Sequence, residues 1–378
     1  MLFANSSLTT EQFLGGHWQR KPLLIRQAFP GFTPELDAND IAGLACDELA
    51  ESRLVTGSFP EHDWALRYGP FTEQDFNRLP ETHWTLLVQD VEKHYPPLQS
   101  LLDQFSFLPR WRIDDLMVSV AGPGGSVGPH IDQYDVFLLQ AEGTRRWQIA
   151  ETFDPELQPD CELNVLRQFS PEQEWLLQPG DMLYLPPGVA HHGVAQDQCM
   201  TWSIGMRAPS AADLFQNLGE WLAARSDEGG RYLDPELQPA THPGEIDIHA
   251  ISRFRALLTA PGDFDRDLPS FLGSFLSRYR LAHDPAGPET QFNRGSLSKS
   301  LEKGHKLKHN PWTRMLWIES TPGARLFAAG SGYECSVEFA RKLCNAESLG
   351  QLTSKLPDTE KDLVCELLNR GHLYFEQL

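Results

Sequence analysis

The chain has 378 residues, enough for two or three domains with substantial cores. Hydrophobic residues make up 40% and charged residues 22%, which is typical of globular proteins and excludes a disordered or fibrous chain. No apolar stretch approaches the roughly 20 residues that a membrane helix needs, so we expect no membrane association. The formal net charge of −20 disfavours nucleic acid as a direct ligand and favours a basic macromolecule.

The six cysteines are scattered along the chain, and no two of them form a C-x-x-C pair. This pattern indicates reduced thiols instead of a disulfide framework or a zinc module. Residues 1–7 also lack the basic region followed by an apolar core that marks a secretory signal peptide. Both observations predict a cytoplasmic protein.

Short apolar runs separated by Gly and Pro turns fill the first 207 residues. Short strands at this spacing favour an antiparallel sandwich or barrel over a sheet with crossover helices. We predict strands over residues 116–120, 135–142, 145–150, 174–177, 182–185, 193–195 and 200–206.

A helical period replaces the strand pattern after residue 208. We predict helices over residues 211–225, 251–258 and 264–280, which together form a small bundle. These helices can bury their apolar stripes against each other or against a second copy of the chain. The stripe on the first helix consists of Leu214, Phe215, Leu218, Trp221 and Leu222.

A Pro- and Gly-containing linker over residues 284–288 precedes the last part of the chain. There, helix patterns over 337–344 and 359–370 mix with strand patterns over 312–320 and 325–329. This order favours a small α+β domain of the winged-helix type. Its charge also differs, because residues 291–378 carry 12 positive and 10 negative side chains, whereas residues 1–290 carry 20 and 42.

His130, Ile131 and Asp132 form a His-X-Asp triplet, and His191 follows Asp132 by 59 positions. Both places adjoin a strand-like run with Gly and Pro nearby. Two imidazoles and one carboxylate on one side of a metal leave its other side open for a co-substrate and O₂. The pattern therefore predicts a non-haem Fe(II) centre with His130, Asp132 and His191 as catalytic metal ligands.

Intracellular chains with this triad on strands are mostly 2-oxoglutarate oxygenases. The distal carboxylate of 2-oxoglutarate needs a buried cation, preferably a guanidinium fork. Arg145 starts a predicted strand and shares one face of it with Trp147 and Ile149, so we predict that Arg145 binds this carboxylate. Ser119 offers a nearby hydroxyl. Both residues also allow an interpretation without a cofactor. Arg145 could be a surface arginine at a strand end, and Ser119 could be a half-buried serine on a strand.

Five ordered stretches carry a resemblance to a known family: residues 17–23, 111–117, 124–149, 179–195 and 203–209. Through them the chain resembles the JmjC-type ribosomal oxygenases, most closely the bacterial YcfD (RoxA) group of ribosomal protein arginine hydroxylases. The resemblance implies an α+β multidomain protein. Its parts are a double-stranded β-helix (cupin/JmjC) catalytic domain over 1–207, a helical dimerisation segment over 208–283 and a winged-helix-like domain over 289–378.

The same resemblance implies an activity and a set of partners. The activity is Fe(II)- and 2-oxoglutarate-dependent hydroxylation, with O₂, of an arginine Cβ in ribosomal protein sixteen of the large subunit. The family pattern assigns the metal to His130, Asp132 and His191, and 2-oxoglutarate to Arg145 with Ser119. A neighbouring hydroxyl position of that pattern is Ala121 here. The implied partners are a basic ribosomal protein and a second copy of the chain, without direct nucleic-acid binding.

Other functions stay open at the level of sequence. The chain is also compatible with a histidine hydroxylase or demethylase of another basic protein, or with a non-enzymatic cupin regulator that uses its winged helix. An arginine substrate needs carboxylates around its guanidinium, and Asp114, Asp115 and Asp135 are candidates, although each also suits a turn or a salt bridge. His192, next to His191, is expected at the surface or behind the metal ligands, because adjacent strand residues face opposite ways.

Overall fold

The computed structural model of the protein describes residues 8–224, 231–235, 246–259, 264–278 and 283–376. The chain divides into two compact units, Met1–Ala208 and Pro209–Leu378. In the described parts of both units, no helix is long and apolar enough to cross a membrane. The helical segment falls within the second unit, and the three domain boundaries given above stay predictions.

Two antiparallel sheets build the first unit. Its strands are β1 (Leu23–Ile25), β2 (Ser52–Thr56), β3 (Ala65–Tyr68), β4 (Trp84–Val88), β5 (Ile113–Ala121), β6 (His130–Ile131), β7 (Val136–Glu142), β8 (Arg145–Ala150), β9 (Gln173–Leu177), β10 (Met182–Leu185), β11 (Ala190–Ala195) and β12 (Cys199–Met206). The larger sheet has the order β1-β10-β7-β12-β5-β4-β2-β3, and the smaller one β6-β11-β8-β9. Together they form a double-stranded β-helix.

Helices of this unit are short and cover the larger sheet. They are α1 (Thr10–Gly16), α2 (Ala38–Leu44), α3 (Glu73–Asn77), α4 (Val91–His94) and α5 (Gln99–Leu102), with single 3₁₀ turns at Pro96–Leu98, Asp103–Phe105 and Arg110–Arg112. Capping boxes at Thr9 and Asp37 start the first two helices. Their apolar side chains pack with those on one face of the larger sheet, including Phe137, Leu139 and Trp202.

The opposite face of the larger sheet packs against the smaller sheet. The shared cluster contains Val136, Leu138, Trp147, Ile149, Leu177, Leu183, Leu185 and Val189, which come from both sheets or from the turn before β11. β7 contributes to both cores, because its odd and even positions point to opposite faces. Its nearly continuous apolar sequence follows from burial on both sides.

The second unit contains the helices α6 (Ala211–Ala224), α7 (Ile248–Thr259), α8 (Phe264–Arg278), α9 (Arg294–Glu302), α10 (Val337–Cys344), α11 (Ala346–Gly350) and α12 (Asp358–Asn369). Its strands are β13 (Leu307–His309), β14 (Met315–Glu319), β15 (Ala324–Ala328), β16 (Ser331–Cys335) and β17 (Leu373–Phe375). β13 pairs with β17, and β14-β15-β16 form a meander. Apolar side chains of α9, α10 and α12 pack with these strands in one core, as in a winged-helix domain.

The predicted helical stripes differ in their burial. No residue of α6 is buried within the chain, and Phe215 is 75% exposed. By contrast, α8 buries Phe271 and Phe275 and lies on the meander. The predicted helix ends at Arg225 and Arg280 lie outside the described residues, as does Tyr279 of the third stripe.

Gly273 allows α8 to lie directly on the meander. A Cβ added there would lie 2.2 Å from the ring of Phe327, which is 1% exposed. We therefore expect Gly273→Ala to lower the free energy of unfolding of the second unit by about 1–3 kcal/mol, the usual cost of overpacking.

Gly43→Ala is the matched control in urea unfolding, because an added Cβ at this exposed position in α2 meets nothing within 4 Å. Replacing glycine in a helix should leave stability unchanged or raise it by up to about 1 kcal/mol. Equal unfolding midpoints for Gly273→Ala and the unchanged protein would contradict the packing of α8 described above.

Candidate metal centre and its barrel

Three of the predicted ligands meet at one end of the barrel. His130 on β6 and His191 on β11 are direct partners in the antiparallel ladder, and their ring centroids are 4.2 Å apart. One ligand atom from each of His130, Asp132 and His191 lies within 4.8 Å of the other two. Asp132 Oδ2 is 3.7 Å from His191 Nε2. The strand pairing thus brings together His130 and His191, which are 61 positions apart in the sequence.

Backbone carbonyls orient both imidazoles. Nδ1 of His130 lies 2.9 Å from the carbonyl oxygen of Gly128, and Nδ1 of His191 lies 3.0 Å from that of Val189. A carbonyl only accepts, so each Nδ1 carries the proton, and each Nε2 keeps its lone pair for the centre of the cluster. The Asp132 segment is also anchored, because its carbonyl accepts from the amide of Gly188 at 2.8 Å.

The charge state of the cluster suits a divalent metal. Burial, reinforced by the proximity of His130, lowers the pKa of His191 to about 4. The imidazole is therefore neutral near pH 7, which is the form that binds metal. Two imidazole nitrogens and one carboxylate oxygen match the ligand set of an Fe(II) facial triad.

His192 points away from the triad. It is buried, with its ring in edge contact with Phe59 and Phe169 at centroid distances of 5.7 and 6.0 Å. Burial, helped by nearby positive charges, lowers its pKa to about 3, so it is a neutral packing residue. The expected surface position is wrong, because the ring of His192 is buried, and its aromatic contacts are with Phe59 and Phe169 on the side of β11 away from the triad.

Arg145 lies inside the barrel, as predicted, and not at the surface. It is 5% exposed, and within the described ranges its Nε and Nη2 atoms have no hydrogen-bond partner. Its Cζ is 5.7 Å from the centroid of the Trp147 ring on the same strand face. A buried guanidinium with unused donors is costly unless an anion completes it. Arg145 therefore fits a bound carboxylate.

Ser119 is buried on the interior face of β5. Its hydroxyl donates to the carbonyl oxygen of Thr201 at 3.3 Å, and Thr201 is its direct partner on β12. The Thr201 hydroxyl donates in turn to Gln140 Oε1 at 3.0 Å. Sequence reasoning missed Thr201 and Gln140. The sequence did indicate them, because each is a polar residue at an inward-facing position of a strand that is otherwise largely apolar.

A β-bulge carries two of the candidate carboxylates into the barrel. The β5–β12 register shifts so that Asp114 and Asp115 both lie opposite Gly205. A Cβ at Gly205 would be 3.0 Å from Oδ1 of Asp115, so this carboxylate lies over the glycine. Gly205 pairs with Val136, the first residue of β7, which follows the metal-ligand candidate Asp132 by four positions. The bulge is thus at the same end of the barrel as His191.

The two bulge carboxylates differ in their partners. Asp114 Oδ1 is 2.5 Å from Nη2 of the buried Arg207. Asp115 makes no hydrogen bond or ion pair with the residues that the structure describes. Burial, together with the negative charge of Asp114, holds the pKa of Asp115 well above its usual range. Asp115 is therefore an enclosed carboxyl without a cation.

Asp135 is not open to a substrate. It is fully buried, and its carboxylate accepts hydrogen bonds from Gln19 Nε2 at 3.1 Å, Arg112 Nη2 at 2.8 Å and the Tyr184 hydroxyl at 2.6 Å. These three contacts fasten the segment after α1 and the turn before β5 to the barrel. Of the alternatives given from the sequence, the salt bridge is the one observed.

We expect Asp135→Ala to destabilise the first unit by about 3–5 kcal/mol, because it leaves the Arg112 guanidinium, whose side chain is only 14% exposed, without its carboxylate and removes two further hydrogen bonds. Urea unfolding monitored by tryptophan fluorescence measures this loss. Glu156→Ala is the control, since it removes an exposed pair with Arg167 and should change stability little. A Asp135→Ala midpoint equal to that of the control would overturn the structural role of Asp135.

Two families of domains match the chain. Residues 100–214 match the JmjC domain family, and residues 256–374 match the ROXA-like winged helix family. The first match contains the metal-ligand candidates and both interior residues Arg145 and Ser119. The second covers α8 and most of the elements after it.

Known proteins resemble the chain, and two of the three described here match it over nearly its whole length. The ribosomal protein uL16 3-hydroxylase of Escherichia coli (strain K12) is 32% identical over 378 residues, covering 98% of each chain. A probable ribosomal oxygenase of Haemophilus influenzae is 41% identical over 61% of this chain and 55% of its own. The structure of YcfD, a ribosomal oxygenase from E. coli in complex with cobalt and 2-oxoglutarate, matches 98% of this chain and 99% of that one. Its TM-score is 0.85 at 31% identity.

Proposed function

This chain belongs to the JmjC-domain ribosomal oxygenases, and we propose that it hydroxylates Cβ of an arginine in ribosomal protein uL16, using Fe(II), 2-oxoglutarate and O₂. One observation carries the proposal: the triad at one end of the barrel and the unpartnered guanidinium of Arg145 share one interior. A metal-binding regulator would have no use for a buried cation without a partner in the same interior as its metal. The relative named as a uL16 3-hydroxylase supports the substrate and the position.

Each predicted site residue has a distinct task in this proposal. His130, Asp132 and His191 would hold Fe(II), and Arg145 would bind the distal carboxylate of 2-oxoglutarate with help from the Ser119 hydroxyl. When bound, the iron and 2-oxoglutarate supply O₂ activation, in which the co-substrate becomes succinate and CO₂ and one oxygen atom enters a C–H bond. The apolar side chains of Ile149, Leu185 and Val189 exclude water around the triad.

The substrate arginine meets a negatively charged environment. Residues 1–208 carry 13 positive and 29 negative side chains, which attracts a basic ribosomal protein. At the triad's end of the barrel, Asp115 supplies a carboxylate that lacks a cation. A substrate guanidinium in contact with Asp115 would satisfy both charges and would lower the raised pKa of this carboxyl. This contact favours arginine over histidine, since a neutral imidazole cannot compensate the charge.

Incubation with Fe(II), 2-oxoglutarate and uL16 should add one oxygen atom to an arginine side chain of uL16. Tandem mass spectrometry of the digested product locates the oxygen, and succinate release measures turnover. Asp132→Ala, which removes the carboxylate ligand, should abolish both signals while circular dichroism stays unchanged. Oxygen on a histidine, or loss of methyl groups, would falsify the arginine assignment.

Replacing Asp115 with Asn should raise the Michaelis constant for a uL16 fragment at least tenfold, because a charged hydrogen bond is worth about 1.5–3 kcal/mol. The Michaelis constant for 2-oxoglutarate should stay the same. Asp103→Asn, at an exposed carboxylate in the same unit, is the matched control. If both variants have the same Michaelis constant for the fragment, Asp115 does not hold the guanidinium.

We also propose that the protein is a homodimer through α6 and α7. Four large apolar side chains support this arrangement, because they are exposed in the single chain: Phe215 at 75%, Ile251 at 43%, Phe254 at 47% and Leu258 at 79%. Exposed apolar side chains in such number usually mark a contact surface. A second copy of the chain presents the same helices, so a twofold symmetric contact would bury these side chains on both copies.

Phe215→Glu should shift the protein from dimer to monomer in light scattering at micromolar concentration. Phe215 suits this test because it is more exposed than Trp221, whose ring packs on Phe271 within the chain. Gln216→Glu adds the same charge at the next exposed position of α6 and should leave the dimer intact. A monomeric parent protein, or a Phe215→Glu dimer, would rule out this interface.

The remaining expectations complete the proposal. Three domains over 1–207, 208–283 and 289–378 would divide catalysis, dimerisation and the winged helix. A cytoplasmic location suits an enzyme that acts on a ribosomal protein. The acidic first unit argues against direct nucleic-acid binding, because phosphate contacts depend on positive charge.

A further inference from the structure

We propose that Trp147 binds 2-oxoglutarate directly, with its indole N–H donating a hydrogen bond to a carboxylate of the co-substrate. This inference rests on the proposed function and adds a residue to its site. Trp147 is 5% exposed, and its Nε1 is buried without a hydrogen-bond partner in the described ranges. A buried indole N–H normally has an acceptor, so an unused one inside the barrel, near Arg145 and His191, points to a ligand.

Position along the strand supports the same assignment. Trp147 lies midway between Arg145 and Ile149, and Ile149 is the direct partner of His191 on β11. Backbone positions 145 and 149 are separated by roughly 13 Å at the usual rise of a strand. The Trp147 ring centroid is 5.7 Å from Cζ of Arg145 and 6.0 Å from the ring of His191. The indole thus lies between Arg145, the proposed carboxylate anchor, and the metal-ligand candidate His191.

Gly193 makes this position of the indole possible. It is the direct partner of Trp147 in the ladder, and a Cβ added there would lie 2.7 Å from Cζ3 and Cη2 of the indole. The benzene edge of the ring therefore lies against β11, and the five-membered ring with its N–H is at the other end of the side chain. Any residue larger than glycine at 193 would displace the indole.

The hydrogen-bond donors on this wall of the barrel suit a dicarboxylate ligand. Arg145 Nε, Arg145 Nη2 and Trp147 Nε1 are three unpartnered donors, among the described residues, on one wall of the barrel. Donors without acceptors suit an anion, and a dicarboxylate supplies enough oxygens for all three. The Trp147 N–H would fix the plane of the co-substrate, a task that Arg145 alone cannot perform from one end.

The test is calorimetric binding of 2-oxoglutarate to the full-length protein loaded with Mn(II), a metal that keeps the triad filled without turnover. Trp147→Phe should weaken binding about tenfold or more, as expected when a hydrogen bond to a charged group is lost. Trp175→Phe is the matched control. It changes the direct partner of Trp147 on β9 and should bind like the parent protein.

The outcomes separate this inference from the proposal beneath it. If the parent protein does not bind 2-oxoglutarate, the proposed function fails. If the parent binds and Trp147→Phe binds equally well, the function stands and the role of Trp147 is refuted. Circular dichroism and Mn(II) affinity of Trp147→Phe should match those of the parent, since phenylalanine keeps the apolar ring. Lost Mn(II) affinity would show a structural effect on His191 and would overturn direct ligand binding.

Discussion

The pairing of β6 with β11 is the constraint on which the site depends. β6 has only two residues, yet its first residue is the direct ladder partner of His191. Side chains of directly opposed residues share a face, so one short stretch of pairing brings both imidazoles to one point. The neighbouring pairing of β11 with β8 then fixes where Trp147 and Arg145 stand relative to the same histidine. Metal ligands and anion donors are thus positioned by a single strand register.

Much of this arrangement could be predicted from the sequence, because it follows from a period of two. The alternation in β8 placed Arg145 on one face with Trp147 and Ile149, and the structure has them there. The bounds predicted for β8, β10 and α10 agree with the observed ones. Strong periodic signals in strands and helices carry this information without any knowledge of tertiary contacts.

The features that escaped prediction depend on breaks in the period or on distant partners. The bulge opposite Gly205 turns Asp114 and Asp115 toward the same side, which alternation alone would forbid. The structural role of Asp135 could not be told from the sequence, because it depends on contacts with Gln19 and Tyr184, which are far away in the sequence. The strands β1 to β4 are only three to five residues long, so their sequence signal is weak.

The interior of the barrel contains polar groups without hydrogen-bond partners in the part of the chain that the structure describes, and these groups lower the stability of the fold. Each buried donor without a partner costs about 1–3 kcal/mol, and among the described residues Arg145 and Trp147 carry such donors. The larger sheet offsets this cost with a continuous apolar core on its other face. Binding of ligands of opposite charge would recover the loss, so the empty barrel is the less stable form of the protein.

The doublet His191-His192 looks like a spare ligand but offers no redundancy. His192 faces the aromatic rings of Phe59 and Phe169, and turning it toward the metal would require a slip of β11 by one residue. That slip would also move Gly193 away from the indole that it accommodates. His191, His192 and Gly193 therefore each require different surroundings, and one register of β11 provides all three. An insertion or deletion that shifted this register would disturb the metal ligand, the aromatic packing and the indole position together.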